Sequence, residues 1–228
     1  MHQFFKLLLN WSEVWPLALA LTILFLYKQK EDIKIIFWLL AVSFLIHLLA
    51  TYISLFNDRV PGFLMNNNIF YNILAFIKPV FTGIYLLRLR QLKQYKFLSY
   101  VFIIFILFTI FNFLFLESIY IFSSTMVLAE SAFMLIFILT FFLNAIIDDE
   151  IPLPIKHPAY FFCTAVGISE SINFFIYLFL FPVFSTNLEF GILILNISSY
   201  AFIFYGLLIA IGLFLNRGNP RFFFRITI

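Results

Sequence analysis

Seven mostly apolar runs, each near the length of one membrane crossing, divide this chain: Trp11–Tyr27, Ile35–Phe56, Ile69–Leu89, Phe97–Leu116, Ile119–Ile147, Pro158–Phe181 and Phe190–Leu215. A helix rises about 1.5 Å per residue, so about 20 apolar residues cross the hydrocarbon of a bilayer. Of the 228 residues, 64% are hydrophobic and 11% charged, against about 25% charged in soluble domains. Mean hydropathy is +1.07. Such a surface cannot be made polar enough for water. The expected fold is an all-α integral membrane protein, one seven-transmembrane-helix bundle spanning residues 1–228 with no separate soluble domain. The 22% aromatic content, mostly phenylalanine, serves helix packing and lipid contact.

A cleavable leader is the rival reading of the first run, because Lys6 precedes it and Ala18-Leu19-Ala20 resembles a cleavage site. Glu13 and Pro16 interrupt the would-be leader, and the apolar run continues past Ala20, so a retained span is expected. The single cysteine, Cys163, excludes an internal disulfide and reads as a small buried apolar residue.

The links alternate in charge. Lys28, Lys30 and Lys34, then Arg88, Arg90, Lys93 and Lys96, then Lys156 beside Asp148, Asp149 and Glu150, and finally Arg217, Arg221 and Arg225 fall on one side. The other side carries Arg59 with Asp58, Glu117 and Glu189. The excess of basic residues on cytoplasmic links puts the N-terminus outside and the C-terminus in the cytoplasm. Trp11 and Trp15 then fall in the outer aromatic belt. The net charge of +3 is spread between apolar runs and gives no patch for nucleic acid.

Lys78 stands near the middle of the third run. At that depth a lysine stem is too short to reach the interface, and a charge there costs about 2.5–3.5 kcal/mol even on lenient insertion scales. It is therefore expected to face inward and meet an anion. Glu130 and Glu170 are the acids at that depth, and one of them is expected to neutralise it. The other glutamate is then protonated, hydrated or bound to a cationic ligand. His47, with Ser43 and Thr51 one turn to either side, is placed to share a proton, although a packing histidine is the plainer reading. Asn173, Asn196 and Tyr200 complete the candidate polar site, and Asn112 lies in the outer half of the fourth span. The plain alternative is that these groups only lock helices three, five and six together. Pro79 frees a carbonyl and kinks the third helix, either to open a cavity at Lys78 or to fit the packing.

Several chemistries fall away. Retinal proteins need a lysine in the last span, and none lies between Phe190 and Leu215. Of the three histidines, His2 and His157 lie at the span ends, so no zinc cluster is expected. No nucleophile triad, phosphate loop or dinucleotide fingerprint stands out, and no cofactor is expected. The proline–glutamine pair of seven-span sugar transporters is missing, and no three-helix repeat is evident.

The chain resembles a family of small, mostly uncharacterised seven-span proteins of Bacteroidota. The likeness is carried by Tyr71-Asn72-Ile73-Leu74 in the third span. Pro158, Tyr160-Phe161, Gly167 and Asn173-Phe174-Phe175 carry it in the sixth, and Leu195-Asn196-Ile197 with Tyr200 in the seventh. It departs from the family where Lys78 and His47 stand near positions that are acidic there. The resemblance implies seven spans and a bacterial inner membrane and no particular activity.

The function expected is a small sensory or ligand-binding membrane protein. Its partners would be membrane lipids, a small or lipidic ligand held around His47, Lys78, Glu130 and Glu170, and a cytoplasmic signalling partner at the basic face. Anionic lipid contact is the plainer use of that face. The alternatives are an intramembrane lipid-acting enzyme with Glu130 or Glu170 as acid or base, a proton-coupled carrier, and a subunit of a larger membrane complex.

Overall fold

A computed structural model describes residues 8–29, 33–56, 67–89, 92, 96–147, 157–180 and 188–220. Among the described residues the helices of the bundle are, in order, α1 (Trp15–Leu26), α2 (Lys34–Leu55), α3 (Asn68–Arg88), α4 (Lys96–Phe111), α5 (Ser124–Ile147), α6 (Pro158–Phe175) and α7 (Leu188–Leu215). Wide π-helical turns extend α4 through Asn112–Leu116 and α6 through Ile176–Leu180. Two short strands, β1 (Tyr27–Gln29) and β2 (Arg217–Pro220), pair antiparallel. Among the described residues, six helices are long and apolar enough to cross a membrane. The chain is a polytopic helical membrane bundle.

The first and fifth elements are shorter than the apolar runs imply. Residues 11–14 form a turn, in which Val14 N donates to Trp11 O (2.9 Å), and α1 begins at Trp15 with Pro16 in its first turn. Proline lacks the N–H that a longer helix would need there. At 12 residues, α1 is about 18 Å long. The fifth run loses its first residues, because Asn72 on α3 pins them outside the helix. Asn72 Nδ2 donates to Ile119 O (2.8 Å) and Ile121 O (2.7 Å), and its Oδ1 accepts from Ser123 N (3.2 Å). Ser123 then caps α5, accepting from Met126 N (3.0 Å).

The helices close into a ring in the order α1, α2, α3, α5, α6, α7 and back to α1, with α4 outside against α3 and α5. The closing contact depends on a missing side chain. A Cβ on Gly206 of α7 would lie 2.4 Å from Pro16 Cβ on α1. Gly212 likewise lets α7 press on Phe161 of α6, where a Cβ would come within 2.5 Å. At the same seam β1 meets β2, Asn216 Nδ2 donates to Gln29 Oε1 (3.3 Å), and the Arg217 guanidinium lies 3.5 Å from the Phe214 ring centre. The outer helix α4 is held by stacked phenylalanines, with Phe105 on Phe133 at 4.5 Å between centres.

The end of the ring where α1 and α7 finish is packed solid with apolar side chains such as Leu24, Leu39, Leu86, Phe137, Phe141 and Phe162. The outward faces are apolar too: Phe115 is 73% and Ile146 76% exposed. That suits lipid and not water. Of the basic residues used for orientation, Lys28, Lys34, Arg88, Lys96 and Arg217 are described, and all cluster at the solid end. Lys6, Lys30, Arg59, Arg90, Lys93, Lys156, Arg221 and Arg225, the acids Asp58, Asp148, Asp149 and Glu150, and His2 lie outside the described residues.

Candidate ligand site

The opposite end of the ring is hollow. A cavity of about 410 Å³ is lined by every ring helix or the turn leading into it. Glu13 contributes from the turn before α1, His47 from α2, Tyr71 and Lys78 from α3, Glu130 from α5, Asn173 from α6 and Ser198 and Phe202 from α7. That volume falls within the usual range for small-molecule sites.

Lys78 lies at the inner end of the cavity, in mid-helix on α3 and followed by Pro79. Its Nζ meets Glu130 Oε1 at 2.9 Å and Glu170 Oε1 at 2.6 Å. The expectation of one partner is thus corrected: both glutamates converge on the lysine, and the trio joins α3, α5 and α6. The two acids are not equivalent. Glu170 is fully buried, lies off the cavity wall, and accepts a second bond from Ser131 Oγ at 2.7 Å. Glu130 borders the cavity, and among the described residues its polar partner is Lys78.

His47 does not reach the trio. Its Nδ1 donates to Glu13 Oε2 at 2.9 Å, and the same oxygen accepts from Tyr71 Oη at 2.9 Å. The imidazole is packed edge-on against Phe202, with centres 4.7 Å apart. Ser43 and Thr51 share its buried face. The His47 side chain is 5% exposed and that of Glu13 33%. Glu13, noticed in the sequence only as an interruption of an apolar run, is therefore a cavity acid. The signal that would have found it is that His47 needs a polar partner at the N-terminal depth of the first span. Tyr71, Tyr177 and Phe202 were also missed, because aromatic residues occur throughout the chain.

Asn173 lines the cavity, as does Ser199. Asn196 and Tyr200 do not: both are exposed on α7, Tyr200 by 58%, and they stand outside the cavity although the sequence reading places them in the polar site. Four polar residues, Asn196, Ser198, Ser199 and Tyr200, surround this stretch of α7, so their type alone cannot show which side faces in. Asn112 is buried and serves the loop before α5, donating to Glu117 Oε2 (3.3 Å) and Ser123 Oγ (3.4 Å). His157 caps α6, its Nδ1 accepting from Ala159 N at 3.1 Å. Cys163 is fully buried.

Outside the spans, Glu117 accepts hydrogen bonds from Ser123, Thr125 and Asn112. Partial burial opposes ionisation there, but these three donors outweigh it and hold the carboxyl below its ordinary range. Among the described residues, no three His, Cys, Asp or Glu side chains cluster closely enough to hold a metal ion. Comparison of the chain with protein-family models, with curated proteins and with solved structures finds no match.

Proposed function

We propose that this protein is a ligand-binding, sensory membrane protein of the bacterial inner membrane, with seven spans, its N-terminus outside and its C-terminus in the cytoplasm. The observation that carries the reading is the charged cavity at one end of an apolar bundle; a second hollow, between α5 and α6, is lined by apolar and hydroxyl side chains and carries no charged group. Ion pairs that only lock helices need no hollow beside them, and a cavity lined with carboxylates, an imidazole and phenolic rings has the make-up of a binding site. The basic residues at the solid end support the orientation, which puts the cavity on the outer side. Ligand binding would change the contacts of Lys78 on α3 with α5 and α6 and so reach the cytoplasmic ends of all three helices.

Native mass spectrometry of the protein released from lipid nanodiscs tests the reading, using wild type and Ser198→Phe, which fills the cavity. A bound small molecule on the wild type that is missing from the variant is the expected result. If neither form carries a mass, or both carry the same one, the cavity is not the site of binding.

A further inference from the structure

We propose that the cavity takes a small organic cation, an amine whose ammonium group sits against Glu130; this rests on the ligand-binding reading above. The charge count points there. Lys78 supplies one positive charge and faces two carboxylates at 2.9 and 2.6 Å. Glu170 is the better satisfied of the two, since it is fully buried and also accepts from Ser131. When both acids are ionised, the negative charge left over falls on Glu130, at the cavity wall. At the other end of the cavity, Glu13 is balanced only when His47 is protonated, so no state of that pair makes the cavity net positive. An uncompensated charge in a low-dielectric interior is strongly unfavourable; a proton on Glu130 removes that cost in the empty cavity, and an ammonium group removes it in the occupied one.

The walls select the kind of cation. A bare metal ion needs several oxygen or nitrogen ligands, and among the described residues no suitable cluster exists. The lining is instead mainly apolar and aromatic, with the rings of Tyr71, Phe122, Tyr177 and Phe202 on the same cavity wall as Glu13 and Glu130. Aromatic faces beside a carboxylate suit an alkylammonium group, which is attracted to both. Leu74, Ala75, Val127, Ile176 and Ile194 offer a surface for the apolar part of such a molecule.

The test uses three probes of similar shape, phenethylamine, phenethyl alcohol and phenylacetate, titrated into the full-length protein in detergent by calorimetry and thermal shift. The amine should bind wild type at least about tenfold tighter than the alcohol and the acid. Glu130→Gln should abolish that preference and leave the weak binding of the alcohol unchanged, while Glu130→Asp keeps part of it. Glu130→Gln leaves the Lys78–Glu170 pair neutral, so the variant should fold. If the alcohol or the acid binds as tightly as the amine, or the preference survives Glu130→Gln, the cation assignment is overturned. In that event Ser198→Phe separates the two ideas. Loss of all binding in that variant keeps the ligand cavity and discards only the amine. Undiminished binding discards both, as does failure of all three probes to bind wild type.

Discussion

The cavity has two polar poles, and they solve the problem of burying charge in different ways. The inner pole sets a permanent cation between two acids, with the Lys78 side chain 14% exposed and those of Glu130 and Glu170 6% and 1%. The outer pole sets a titratable imidazole on an acid that is a third exposed, and shares that acid with a phenol. The inner pole bridges three helices at mid-depth, and its three side chains are the more deeply buried. The outer pole can exchange partners with solvent. Depth, more than the number of charges, should therefore decide what each contact is worth.

Breaking the inner pole should give the largest effect. Lys78→Met leaves two facing carboxylates and should cost about 3–5 kcal/mol, read as a fall in the unfolding midpoint in detergent; a loss under about 1 kcal/mol would show that the trio does not hold α3, α5 and α6. Adding Glu130→Gln and Glu170→Gln to that variant should recover most of the loss. The two acids should differ when changed singly. Glu170→Gln weakens a charge-assisted bond in a sealed site and should cost about 1–3 kcal/mol, whereas Glu130→Gln should be neutral or stabilising. Equal effects would mean that the two acids share the lysine equally.

At the outer pole, Glu13→Gln and His47→Ala should each cost about 1 kcal/mol. The double variant should show a coupling below that of the Lys78 pairs, measured by a double-mutant cycle. The smallest effect belongs to Glu117, outside the spans. Its folded-state carboxyl titrates below the ordinary value. Its contribution is therefore complete above the unfolded-state titration and is lost as pH falls through the folded one. Glu117→Gln should flatten that part of an acid stability curve; an unchanged slope would assign it to other carboxylates.

Much of this could be read from the residues, for physical reasons. Helices of spanning length follow from apolar run length, and an inward Lys78 with an acid partner at its depth follows from the short reach of a lysine; that both Glu130 and Glu170 would meet it did not follow, because depth alone does not fix which faces of α5 and α6 turn inward. The order of helices in the ring could not be read, because a span is apolar on its lipid side and its packed side alike. For the same reason Asn196 and Tyr200 looked equivalent to Ser198 and Ser199, though they point away from the cavity. The late start of α5 was hidden as well. Ile119 and Ile121 are apolar enough to belong to a helix, and only the carboxamide of Asn72, 47 and 49 positions earlier, holds them out of it.

The seam between α1 and α7 sets a schedule for biogenesis. Gly206 must meet Pro16, and β2 must meet β1, before the ring is whole. These partners lie far apart along the chain, so during synthesis the ring stays an open arc until α7 has been made. Lys78 is made long before either of its acids. For that interval it is without the counter-charges that it has in the closed ring.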